Sequence, residues 1–215
     1  MLPSFLRLAA AGFLTLAVAG CTSTASTNTH VMAGAPVTET GGAMQTAFAP
    51  TGEAADQSHL AKPYFISFRA RNAESYGHTF VVFGRLDQNG RVPYDAKGVL
   101  IPSMTEVAGL HPASTSVIPY MLGHVIPVPS ETGASDGDTE KAYLLAEWTI
   151  PLTAAQYNEL VPYIHKLQAR SPVWNAVTYN CSAFVGTIAR HMGFETPSPL
   201  HLPKDYINDL RKMNT

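Results

Sequence analysis

The sequence predicts an α+β fold built on a mostly antiparallel sheet. Three observations carry this. Runs rich in aromatic and β-branched residues cluster between Tyr64 and Ile150. Helical periodicity, with recognisable caps, is confined to the stretch after Thr153. Gly and Pro number 16 each, which demands many turns and leaves little room for long helices. Strands early and helices late in one chain point to segregated rather than alternating elements.

Taken in order, Tyr64–Arg71 reads as a strand, and Gly77 with His78 opens a second, HTFVVFGRL. The Asp87-Gln88-Asn89-Gly90 segment is a turn signal, since Asn-Gly suits positive φ. Arg91–Ile101 is then expected to return as the partner strand, with Pro93 placing its start at an edge. Ser103–Leu110 reads as a short helix. Val117–Val128 and Ala142–Ile150 read as further strands, separated by an exposed polar loop, Ser130–Lys141. Thr153 followed by Gln156 has the form of a capping box. Tyr157, Leu160, Val161, Ile164 and Leu167 supply the apolar face of the helix it opens, and Pro162 is expected to kink that helix or shift its start. The next helix begins at the N-cap residue Asn180 and stops at Gly193, burying Phe184, Val185, Ile188 and Met192. Pro203–Met213 reads as a short terminal helix.

The start of the chain reads as an export signal. Arg7 is followed by an apolar run, Leu8–Ala19, that is short for a permanent span. It ends in Val18-Ala19-Gly20-Cys21, which resembles the bacterial lipobox. That resemblance implies removal of residues 1–20, lipidation of Cys21 and acylation of the new amino terminus. Several acyl chains on one residue anchor stably where a single chain is marginal. With Thr22 and Ser23 rather than an acidic residue after Cys21, analogy with known lipoproteins favours the outer membrane, facing the periplasm. Residues 21–61 are small and polar with little periodicity and read as a tether; the folded domain is expected over residues 62–215. Net charge is −2 and only 14% of residues are charged, so no basic surface calls for nucleic acid.

If Cys21 is lipidated, Cys181 is the remaining thiol. An unpaired cysteine is unusual in an oxidising compartment. At the first turn of a helix, free backbone N–H groups and the positive dipole end favour the thiolate. On spacing alone, Cys181 reads equally well as a buried small hydrophobe of a core helix. Among eight histidines, His78 stands out because it opens an apolar strand just after a glycine, where its ring can project past the sheet edge. A half-buried strand-end histidine has the same local pattern. His111 and His124 flank expected strands; His165, His191 and His201 fall on helices or the tail, and His30 and His59 in the tether. No pair of ligands stands at a tight helical spacing for a metal, and there is no phosphate loop, Gly-x-Gly-x-x-Gly or Gly-x-Ser-x-Gly. No cofactor is therefore expected.

GHTFVVFGRLD, followed much later by YNCSAF, resembles the circularly permuted papain-like group related to NlpC-type cell-wall hydrolases, which includes lecithin–retinol acyltransferase-like proteins. In permuted members the histidine strand precedes an Asn-Cys helix, as His78 and Asn180-Cys181 do here. The resemblance covers most of Tyr64–Gly193. It implies a sheet packed against the nucleophile helix, with Cys181 as nucleophile and His78 as general base. It also implies a third polar residue on the strand after the histidine strand, where Asp95, beside Tyr94 and Lys97, is the candidate. Asn180 and Tyr179 are the candidates for oxyanion or support roles. The function implied is a lipid-anchored thiol hydrolase or acyltransferase of the cell envelope, acting on amide or ester bonds, with peptidoglycan peptides ahead of acyl esters. The alternative is a non-catalytic lipoprotein using the same fold as a binding or assembly module.

Overall fold

A computed structural model describes residues 61–73, 76–114 and 116–215. The expected export signal, Cys21, His30, His59 and nearly all of the expected tether lie outside the described residues. The described elements belong to the unit Phe48–Thr215. They are mixed α and β, with antiparallel sheets and four helices.

The main sheet has four strands: β1 (Tyr64–Arg71), β2 (His78–Arg85), β3 (Thr105–Gly109) and β6 (Leu144–Leu152), in the order β3-β2-β1-β6. All neighbours are antiparallel, with Arg71 opposite His78 and Phe80 opposite Gly109. A smaller sheet joins β4 (His111–Pro112), β5 (Val128–Glu131) and β7 (Val173–Trp174) in the order β4-β5-β7.

Strand alternation divides the main sheet into two buried faces. Ile66, Phe68, Ala70, Val81 and Phe83 point to the helices and form the larger core. There they meet α2 (Ala154–Ala169), α3 (Cys181–His191) and α4 (Pro203–Met213). The apolar stripes of these helices are Leu160 and Ile164; Phe184, Val185 and Ile188; and Tyr206, Ile207 and Leu210. Phe65, Phe80 and Val82 point the other way and are covered by Leu86, Val92, Tyr94 and Leu100. Arg69 is buried on that second face. Its Nε donates to Ser67 Oγ (3.0 Å), its Nη1 to the Tyr94 hydroxyl (2.6 Å), and Glu147 lies 3.5 Å from Nη2.

Three expectations are corrected here. Residues 91–101 are not a partner strand; they form a cover across the second face, tied by the Tyr94–Leu100 and Val99–Glu140 bridges. Pro93 has no N–H to give a ladder, and Gly98 turns at φ +78°. The strand beside β2 is instead β3, within the stretch read as a short helix; Thr105 and Val107 are β-branched and fit a pleated surface. Finally, 117–128 is not a strand. Ser116 Oγ accepts from Ile118 N–H and caps a short helix, α1 (Val117–Leu122), before the chain enters β5. The other helices fall on the expected stretches, with α3 ending at His191 and with Met192, rather than Gly193, as its C-cap. Thr153 and Gln156 make both bonds of the capping box, and α2 runs through Pro162.

Candidate active site

Cys181 is the first residue of α3. Asn180 caps this helix: its Oδ1 accepts from Ala183 N–H (2.9 Å) and its carbonyl from Phe184 N–H (3.0 Å). The Asn180 side-chain N–H group also donates to the carbonyls of Ala176 and Pro199, each at 2.9 Å. The cap thereby fixes the turn before the helix and the segment after it. His78 opens β2, on the same sheet face as Phe80, whose ring stacks on it at 5.8 Å with a 9° interplanar angle. Thr79, one residue on, faces α3, where its hydroxyl lies 3.2 Å from Ser182 Oγ.

The structure brings Cys181 and His78 together. Burial pushes the half-buried Cys181 thiol up, but the hydrogen bond and charge of His78 outweigh it, helped by donation from the Thr79 hydroxyl and N–H. The thiol is held down at about 7, from an ordinary 9.0. The buried His78 imidazole responds in the complementary direction. Burial lowers it, while the hydrogen bond to Cys181 and the Asp138 carboxylate raise it, and the balance lies above the usual 6.5. Each group thus favours the charged form of the other, and the two titrate as a pair.

Asp138 is the carboxylate at this site. Its side chain is fully buried, with Oδ2 3.7 Å from His78 Nε2. The same carboxylate accepts from Arg71 Nε at 2.5 Å and from the N–H and hydroxyl of Ser135, at 2.7 and 3.0 Å. It rises from within the segment expected to be an exposed loop. Asp95 is not at the site: it is exposed, and its Oδ1 accepts from the N–H groups of Lys97 and Val99 in a local turn. Tyr179 is likewise committed elsewhere, its hydroxyl 3.1 Å from Ser171 Oγ. Asn180 supports the site as a cap rather than offering its amide to a substrate.

His111, one of the two strand-flanking histidines of the sequence, is the other imidazole that the structure brings up to His78. The two rings meet edge to face at 6.1 Å. Burial and the neighbouring His78 charge hold His111 below the usual imidazole value, against a raising contribution from the Pro112 carbonyl. The two shifts run in opposite directions, so His78 is the imidazole of the pair that takes up a proton more readily. His78 Nε2 and His111 Nε2 are both buried without a hydrogen-bond partner.

Gly109 makes room for the imidazole. A Cβ there would stand 2.8 Å from His78 Nε2 and 3.0 Å from Phe80 Cβ, closer than packed atoms tolerate. Gly109→Ala is expected to swing the ring off Cys181. Alkylation of Cys181 by iodoacetamide at pH 6 should fall several-fold, on the order of the loss from removing a charge partner, while circular dichroism stays unchanged. An unaltered rate would show that the ring has other room.

A shallow cleft lined by Tyr64, Arg85, Met104 and Tyr157 opens at the far end of β2 and shares no residue with this site. Among the described residues, no group of three or more His, Cys, Asp or Glu side chains could hold a metal ion, and no helix is long and apolar enough to cross a membrane. Compared with family models, curated proteins and solved structures, the chain matches none.

Proposed function

We propose that this chain is a lipid-anchored thiol hydrolase or acyltransferase of the cell envelope, with a circularly permuted papain-like arrangement, acting on an amide or ester bond. The observation that carries the reading is the Cys181–His78 pair: a thiol held at about 7 despite burial, at the start of a helix and hydrogen-bonded to an imidazole held above its usual value. The order of histidine strand before Asn-Cys helix, and the packing of α3 on β2 and β3, support the permuted reading.

In this mechanism the thiolate attacks the carbonyl carbon, and the carbonyl π electrons move to oxygen. Asn180 takes up the Ala183 and Phe184 amides, so the Cys181 and Ser182 amides are the donors that meet the oxyanion. His78 gives its proton to the departing nitrogen or oxygen as the carbon–leaving-group bond breaks, leaving an acyl thioester and neutral imidazole. His78 then takes a proton from water or an acceptor alcohol. The new nucleophile displaces Sγ, which leaves as thiolate, and the imidazolium–thiolate pair is restored. Peptidoglycan peptides are the first substrate class to test, on the strength of the resemblance and compartment, and acyl esters the second.

The test is the pH dependence of thiol alkylation. Deprotonation makes the nucleophile, so labelling should rise with pH through a midpoint near 7 and level off above it. In His78→Ala the midpoint should move up toward the ordinary thiol range, about 8.5–9. At pH 6 the variant should be slower by roughly five- to tenfold, because its smaller thiolate fraction outweighs the greater intrinsic nucleophilicity of a more basic thiolate. By pH 8 the difference should vanish or reverse. A wild-type midpoint in the ordinary range would sink the thiol-catalyst reading and leave the binding module.

A further inference from the structure

The site sits within a rim of exposed apolar side chains drawn from separate parts of the chain. On α1 and the turn after it, Ile118, Met121 and Val125 are 64, 62 and 81% exposed, and α1 buries none of its residues. Two donors tie this segment to the turn before the nucleophile: Asn175 Nδ2 and Ala176 N–H both reach the Gly123 carbonyl, at 2.8 and 3.0 Å. Val177 stands exposed on that same turn. Leu200 and Leu202 are exposed on the segment whose Pro199 carbonyl accepts from the Asn180 cap. Tyr76, two residues before His78, lies 6.2 Å ring to ring from His124 and closes the set.

Charge distribution decides what fits this rim. From Val107 to Ser130 the chain has no Asp, Glu, Lys or Arg. A protein partner is ordinarily met by a polar rim with Arg among the anchors. The charge-free, strongly apolar α1 segment, with Tyr76 and Tyr120 at its base and exposed Lys204 and Asp205 at the rim's outer border past Leu202, suits instead the boundary between lipid headgroups and acyl chains, where aromatic rings with a polar end and flanking charges also settle. The apolar run Leu8–Ala19 and Cys21 point to the same membrane, and the residues between Cys21 and Lys62 can span at most about 140 Å, so chain length is no bar.

We propose that this rim is a bilayer-docking surface: Ile118, Met121, Val125 and their neighbours sink into the headgroup–acyl boundary, and the Cys181–His78 site opens onto the lipid surface. Docking of this kind uses shape and apolarity alone and does not depend on the thiol chemistry.

The test places tryptophan reporters in the full chain, incorporated into phosphatidylethanolamine–phosphatidylglycerol vesicles with or without brominated acyl chains. Ile118→Trp and Val125→Trp are compared with Met213→Trp, an exposed position at the far end of α4. The unsubstituted chain supplies the background of Trp148 and Trp174. At least twofold quenching at positions 118 and 125, with little at 213, is expected, and the same quenching should persist when Cys181→Ser is added. Equal quenching at all three positions, or none at 118 and 125, overturns the proposal. So does a dimer in sedimentation that Val125→Asp disperses, since the rim would then be covered by a second copy. Quenching without any thiol activity leaves docking intact and removes only the catalytic reading.

Discussion

Replacing Cys181 by Ser should lower turnover of a chromogenic ester, such as p-nitrophenyl butyrate, by at least about 10⁴-fold, the scale seen when a covalent nucleophile is removed. The hydroxyl has nearly the volume of the thiol and suits the first turn of a helix. The Asn180 cap that shapes this turn uses backbone atoms of Ala183 and Phe184, not the side chain at 181. Thermal stability should therefore change little. The loss arises because a serine hydroxyl ionises far less readily than a thiol already held at about 7. His78 lacks the neighbourhood of a serine-type base: its carboxylate stands 3.7 Å away, outside hydrogen-bond range. Turnover surviving in Cys181→Ser would move the chemistry to another group.

Asp138→Ala should destabilise the domain by about 3–5 kcal/mol, the usual cost of removing one partner from a buried ion pair. Arg71 is largely buried against this carboxylate, and its guanidinium would lose its counter-charge. Ser135 would lose the acceptor of both its N–H and its hydroxyl. Because the carboxylate also raises His78, the imidazole should titrate at lower pH, readable from its ring protons by NMR. Asp138→Asn removes the charge and keeps one acceptor oxygen, enough for Arg71 or for Ser135 but not for both, so it should also cost stability while shifting His78 in the same direction. Unfolding free energies from urea titration within about 1 kcal/mol of wild type for both variants would show that Asp138 is not a fixed point of the site.

The sequence made one half of the candidate site legible and hid the other. Cys181 and His78 stand out locally, one by an N-cap followed by small residues, the other by a glycine before an apolar strand, but each local pattern fits a packing residue equally, and it is the resemblance that pairs them. Asp138 does not. It lies in Ser130–Lys141, whose small and acidic residues have every appearance of a solvated loop. The arrival of Arg71 from the end of β1, an inner strand, together with the Ser135 donors, makes burying it favourable. Asp95 fails for the converse reason: a short-range use for its side chain, the turn at Lys97–Val99, satisfies it before any long-range one can. That error traces to the choice of partner strand. With 105–109 in place of 91–101 beside β2, the chain running on into β4 presents His111, and the polar residue expected after the histidine strand would have been sought there. Val117–Val128 misled because its β-branched residues fit a strand, while Ser116 and the need to cover Trp174 decide for a helix and turn.

The Asn180 side chain has a consequence that reaches past helix capping. Through Ala183, Ala176 and Pro199 it fastens three stretches of backbone at one junction, and the sulfur is mounted directly beside that junction. Motion in either flanking stretch must be transmitted to the anchorage of the Cys181 thiol or absorbed farther out, at the exposed tips that carry Val177 and Leu200. The tips are thus free to be remodelled, residue by residue, while the sulfur keeps its address.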